Sequence, residues 1–91
     1  MTVKELEEVL NKSELEKKSK LILYNDNINT FDHVIDCLQT YCGHSLIQAE
    51  QCATIVHCKG KCCVKEGSKL DMKILSEMLN LNKLNSEVEY G

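Results

Sequence analysis

The chain has no proline and no tryptophan, and its aromatic residues are limited to three Tyr and one Phe. It has no excess of basic charge either, with 11 Lys and Arg against 14 Asp and Glu and a net charge of −3. Without a basic stripe or interleaved aromatics, no nucleic-acid partner is expected. No run approaches the roughly eighteen apolar residues of a membrane span, so no membrane partner is expected. The opening residues Met-Thr-Val-Lys-Glu-Leu-Glu-Glu-Val-Leu are too acidic and too interrupted for an export signal. There is no phosphate-cradling glycine motif. His57, Cys58, Cys62 and Cys63 cluster, but no C-x-x-C pair and no second half-site with zinc spacing accompany them. Neither a metal nor any other cofactor is expected.

What is present is a chain of 91 residues with 43% hydrophobic content, enough for one small domain. Its six cysteines would suit a disulfide scaffold in a secreted chain. Here no export signal is visible, and Cys37 and Cys52 fall on apolar helix faces where a thiol acts as a small hydrophobe. Reduced thiols in a cytoplasmic, reducing compartment are the expectation.

Residues 1–19 are strongly charged, with Val3, Leu6 and Leu10 at helical spacing. Isolated helices of this length barely hold in water. The segment reads as a mobile extension ahead of a domain over residues 20–91, with a docked N-terminal helix as the alternative. Leu21–Tyr24 is short and apolar, as in a buried strand. Thr30 is a plausible N-cap, and Phe31, Val34, Ile35, Leu38 and Cys42 then line one helix face. Gly43 suits a left-handed helix end. Ser45 and Gln48 form a capping box for a second helix with Leu46, Ala49, Cys52, Ala53 and Val56 inside. After Gly60, Lys61–Lys65 reads as a strand that Gly67-Ser68 ends. Leu70, Ile74, Leu75, Met78 and Leu79 mark a third helix, and Ser86–Tyr90 a last strand. The expected fold is α+β: a single β-α-α-β-α-β domain with a three-stranded antiparallel sheet covered by three helices.

Between Tyr24 and Phe31 the chain gathers Asn25, Asp26, Asn27 and Asn29 on one loop. Asn and Asp favour turns for local reasons, and a loop held between rigid elements is equally a place for a polar site. These residues alone leave both readings open. Catalysis is not indicated. His57 and Cys58 are helix neighbours that point apart, and Asp26 stands alone where acid–base chemistry would need two acids. The chain is not expected to be an enzyme.

Asn25-Asp26-Asn27 followed by Thr30-Phe31-Asp32-His33-Val34-Ile35 resembles the Asn-Asp-Asp…Thr…Phe-Val pattern of the ClpS adaptor proteins. Ala49-Glu50-Gln51, Ile55-Val56-His57 and Gly60-Lys61 are similar to that family's second-helix segment. The spacing between the two blocks matches as well. The resemblance implies the β-α-α-β-α-β fold and a bacterial, cytoplasmic adaptor. Such an adaptor binds the free N-terminus of proteins beginning with Leu, Phe, Tyr or Trp and delivers them to the AAA+ unfoldase of a Clp protease. By position, Asn25, Asn27 and His57 would bind the peptide's amino group. Asp26, Asn29 and Thr30 would serve the peptide backbone or the loop. Phe31, Val34, Ala53, Val56 and Leu84 would form the apolar side-chain pocket.

The sequence departs from the family pattern at several points. Asn27 stands where the family has a second Asp, which removes a charge that would balance the ammonium. Asn29 falls where relatives often have Thr, and Ala53 replaces a Met, which implies a roomier pocket. Around Leu70 and Leu75, relatives carry charges on a docking face. The alternative function is a protein–protein docking domain related to the ribosomal stalk C-terminal domain, without N-terminal residue recognition. The combination of the Asn-rich loop with His57 favours the adaptor.

Overall fold

The computed structural model describes residues 18–90. The mobile extension expected over residues 1–19 lies outside the described residues as far as residue 17. The elements are β1 (Lys18–Tyr24), α1 (Phe31–Cys42), α2 (Leu46–Lys59), β2 (Lys61–Ser68), α3 (Lys69–Leu81) and β3 (Asn85–Tyr90). The three strands form one antiparallel sheet in the order β2-β1-β3. The fold is therefore the expected β-α-α-β-α-β arrangement.

Local signals explain the helix boundaries. Thr30 Oγ1 accepts from the His33 amide at 3.1 Å and starts α1. Gly43 ends α1 with a left-handed φ of 69°, which an L side chain would resist. Both halves of the Ser45–Gln48 capping box form, at 3.2 and 3.0 Å. Ser68 caps α3 by accepting from the Asp71 amide.

The strands run longer than the apolar segments suggest. β1 begins at Lys18 and β2 continues through Gly67 to Ser68, because Lys18, Ser19 and Lys20 pair with Ser68, Gly67 and Glu66. Alternation explains it: Ser19, Leu21 and Leu23 are fully buried on one face, while Lys18 and Lys20 are exposed on the other. Between Leu21 and Ile22 the β1–β2 register shifts, and Val64 is the extra residue on β2. A bulge frees a backbone group, and the His44 ring nitrogen Nε2 hydrogen-bonds the Val64 carbonyl. Lys65 Nζ donates to the Cys42 carbonyl at 3.1 Å, so a cation sits at the negative end of α1.

The core comprises Leu21, Leu23, Ile35, Cys37, Leu38, Cys42, Ala49, Ala53, Val56, Val64, Met72, Leu79 and Leu84. All six cysteines are free thiols. Burial pushes the Cys42 thiol up to about 11. Burial, reinforced by the adjacent Cys52, pushes Cys62 up to about 12. Such thiols behave as apolar filler rather than nucleophiles.

α3 differs from the sequence reading. Its buried face is Met72, Ser76 and Leu79 with Leu75 half-buried, whereas Leu70, Ile74 and Met78 are exposed. The apolar residues surround more of the helix than one face can bury, and the sheet takes the side that includes a serine. That serine is satisfied: Ser76 Oγ lies 2.9 Å from Ser86 Oγ, and the Ser86 amide donates to Asn80 Oδ1 at 3.0 Å. This buried network ties α3 to β3 and fixes the turn that carries Leu84. Replacing Ser86 by Ala removes the hydroxyl's bonds to Ser76 and Asn80 and leaves those made by the backbone of residue 86. It is expected to lower stability by about 1 kcal/mol, read as a shifted urea midpoint with unchanged slope.

Candidate functional site

The end of β1, the loop Asn25–Thr30, the end of α2 and the α3–β3 turn meet around a cleft of about 400 Å³. Backbone geometry brings them together. Gly60 ends α2 in a left-handed conformation, φ 92°, and its carbonyl accepts from the Asn25 amide at 2.8 Å. The start of the loop is thereby fixed beside the last turn of α2, which carries His57.

The loop is shaped by its own polar side chains. Asp26 Oδ1 accepts from the backbone amides of Ile28 and Asn29, each at 2.9 Å, and Oδ2 accepts from Asn29 Nδ2 at 2.8 Å. The Asn29 amide, helped by those of Ile28 and the Asn29 side chain, holds the Asp26 carboxyl below the usual carboxylate range. Asp26 is thus a charged organiser of the turn. Asn29 Nδ2 also donates to the Lys83 carbonyl at 2.7 Å. Lys83 itself has a left-handed backbone, φ 69°. Below it, His33 Nε2 lies 2.9 Å from the Asn82 carbonyl. Two cross-links therefore hold the loop and the first turn of α1 against the turn before Leu84.

Ten of the eleven residues singled out from sequence line this one cleft: Asn25, Asp26, Asn27, Asn29, Phe31, Val34, Ala53, Val56, His57 and Leu84. Thr30 does not line it, because its hydroxyl caps α1. Leu23 and Tyr24 also line the cleft and were not singled out as site residues. Their position at the C-terminal end of a strand, directly before the loop, was the available signal.

The lining divides by chemistry. Leu23, Ala53, Val56 and Leu84 are buried and form an apolar floor, with half-buried Val34 and a 46% exposed Phe31 at its edge. Asn25, Asn27 and His57 are exposed at the rim. Among the described residues, none of these three side chains is engaged in a hydrogen bond with the protein. The rim thus offers two amides and an imidazole to a ligand, while the other polar groups of the loop are consumed in building it. Among the described residues, no group of three or more His, Cys, Asp or Glu is placed to hold a metal ion. No helix there is long and apolar enough to cross a membrane.

Residues 14–87 match the family described as ATP-dependent Clp protease adaptor protein ClpS. The chain belongs to the ClpS family. This family assignment makes it an adaptor by class. The backbone also superposes on a structure of Agrobacterium tumefaciens ClpS2 bound to L-phenylalaninamide. That match has a TM-score of 0.79 and 18% identity, and covers 84% of this ClpS-family chain and 99% of the other. At that identity the likeness shows the fold. A curated relative, the E3 ubiquitin-protein ligase ubr-1 of Caenorhabditis elegans, is 44% identical over 50 residues, which is 55% of this chain. Those residues make up 2% of the ligase's own length.

Proposed function

We propose that this domain is an N-degron adaptor. It binds the free N-terminus of proteins whose first residue is Leu, Phe, Tyr or Trp and delivers them to a AAA+ Clp unfoldase for degradation. The observation that carries the reading is the division of the cleft, with uncommitted polar groups at the rim above an apolar floor. An N-terminal residue has the same division, an ammonium with three donors one carbon from an apolar side chain. Asn25, Asn27 and His57 accept from the ammonium, Asn25 and Asn27 through their side-chain oxygens and His57 through a ring nitrogen. Phe31, Val34, Ala53, Val56 and Leu84 receive the first side chain. Asp26, Asn29 and Thr30 hold the loop. The relative bound to L-phenylalaninamide supports the assignment, since that molecule is a first residue with its amino group free. The adaptor makes and breaks no covalent bond, so the domain is not an enzyme. Its place is the cytoplasm.

Ala53 widens the floor, which favours aromatic first residues over Leu. Burying a large apolar side chain contributes roughly 1.5–3 kcal/mol, and the cleft is open at one side. A panel of peptides differing in the first residue tests this by fluorescence anisotropy. Phe- and Trp-initiated peptides are expected to bind about tenfold more tightly than an Ala-initiated one. Equal binding across the panel would remove the side-chain pocket from the reading.

The delivery step has a second reading, favoured by the nematode ligase. The match to that protein is 44% identical over 50 residues. In that reading the same recognition domain hands its target to ubiquitin transfer rather than to an unfoldase. Leu70, exposed, and Leu75, half-buried, are apolar where ClpS relatives carry charges, which weakens the expected unfoldase contact. Affinity of the domain for an isolated Clp unfoldase N-terminal domain distinguishes the two. Micromolar binding supports unfoldase delivery, and its absence alongside intact peptide binding supports the ligase route.

A further inference from the structure

The apolar lining of the cleft comes from several elements, and one piece of it is carried by a turn. Phe31 and Val34 belong to the first turn of α1, Ala53 and Val56 to α2, and Leu84 to the turn between α3 and β3. Helices hold their own residues in place, whereas a turn needs tethers. α3 closes on itself at this end: the Leu84 amide donates to the Leu79 carbonyl and the Lys83 amide to the Asn80 carbonyl, both at 3.0 Å. That closure requires the left-handed backbone seen at Lys83. These bonds fix the turn to α3. They do not fix the separation of Leu84 from Phe31 and Val34 on α1.

His33 makes that link. Its Nε2 lies 2.9 Å from the Asn82 carbonyl. A carbonyl only accepts, so Nε2 carries the hydrogen and donates. The ring is half-buried and is backed by Cys37, one turn further along α1, whose buried Sγ is 3.7 Å from the same nitrogen. His33 does not line the cleft, but Val34 beside it does, and so does Leu84, two residues beyond Asn82. The other tether on this turn, from Asn29 Nδ2 to the Lys83 carbonyl at 2.7 Å, starts from the loop that presents the polar rim. It ties the turn to the rim rather than to α1. A binding site keeps its shape only when the residues behind it are locked, and the lock between α1 and the turn that carries Leu84 is the His33 hydrogen bond.

We propose that His33 is a positioning residue for first-residue selectivity, holding Leu84 at a set distance from Phe31 and Val34 through the Asn82 carbonyl. The inference rests on the N-degron reading of the cleft. It is tested on the full chain by fluorescence anisotropy with Phe-initiated, Ala-initiated and N-acetylated Phe-initiated peptides. His33→Leu keeps an apolar body on α1 but cannot donate. Its preference for Phe over Ala is expected to fall from about tenfold to about threefold or less, through weaker binding of the Phe-initiated peptide alone. The ratio of free to acetylated Phe-initiated peptide should stay within about twofold of the wild type, because the groups that face the ammonium are untouched. Gln can place a side-chain N–H close to where Nε2 stands, so His33→Gln should recover most of the preference. His33→Asn, whose amide is too short to reach Asn82, reads the same loss if His33→Leu does not fold. A preference that stays tenfold without the tether overturns the proposal and leaves the adaptor reading standing. So does a loss shared equally by Phe- and Ala-initiated peptides, or one that His33→Gln fails to recover, since either makes His33 a general support of the fold. A wild-type chain that binds free and acetylated termini alike overturns the adaptor reading and this proposal with it.

Discussion

A Phe-initiated peptide is expected to bind with micromolar affinity, and its N-acetylated copy at least a hundredfold more weakly. Acetylation removes the positive charge and two of the three donors while leaving the apolar side chain intact. Each charge-assisted hydrogen bond to the ammonium contributes about 1.5–3 kcal/mol, and losing two of them, with the charge that strengthens the third, outweighs what the floor of the cleft provides. The acetyl group must also fit where Asn25, Asn27 and His57 converge, leaving rim acceptors desolvated without donors. Micromolar rather than nanomolar affinity follows from the small contact area and the cost of ordering the peptide. The same argument fixes a pH limb. The bound amine is protonated, so binding raises its pKa above the free value. Affinity is then fully present below the free amine's pKa of about 7.7–8.0 and falls as pH rises through and beyond it. Asp26 adds no loss on the acid side near neutrality, because its carboxyl is held below the ordinary carboxylate range. Anisotropy titrations of both peptides between pH 7 and pH 9 check the prediction. Equal affinities for free and acetylated termini would refute amino-group recognition.

Much of this arrangement was legible because its signals are local. Thr30, Gly43 and Ser45 with Gln48 act within one helical turn, and each cap forms where the sequence places it. The apolar run before the Asn-rich loop marked β1 for the same reason. Strand lengths were less legible because pairing, not hydrophobicity, carries β1 back to Lys18 and β2 on to Ser68. The buried face of α3 was misread because Ser76 is polar, and its burial makes sense only once Ser86 of β3 is brought opposite it. In the cleft, the residue types that line it followed from the resemblance, but the division of labour did not. Asp26, Asn29 and Asn27 look alike on paper. That Asp26 and Asn29 are consumed by Ile28, by each other and by Lys83, while Asn27 is left free, depends on a contact between positions 29 and 83 that no local pattern encodes. His33, which pins α1 to Asn82, was equally invisible for that reason.

That distinction sets up the second large effect. Asn27→Asp is expected to tighten binding of a Phe-initiated peptide about thirtyfold. Asn27 is exposed at the rim and free of protein hydrogen bonds among the described residues, so the substitution breaks nothing in the loop. It replaces a neutral acceptor by a charged one facing an ammonium, a change worth about 2 kcal/mol for a charge-assisted bond. Asp26 already supplies one negative charge to the cleft, but its oxygens accept from three amide N–H groups and point into the turn. Its attraction for the ligand is therefore through space and weakened by solvent, whereas Asp at position 27 would touch the ammonium. The two carboxylates would repel in the free protein, and this repulsion is relieved when the cation arrives, which adds to the gain. A salt titration separates contact from field. The gain should persist at 0.5 M NaCl, where the Debye length is only a few ångströms and unbonded charges are screened. An unchanged affinity in the variant would show that position 27 does not face the ammonium, and would move the amino-group site to Asn25 and His57 alone.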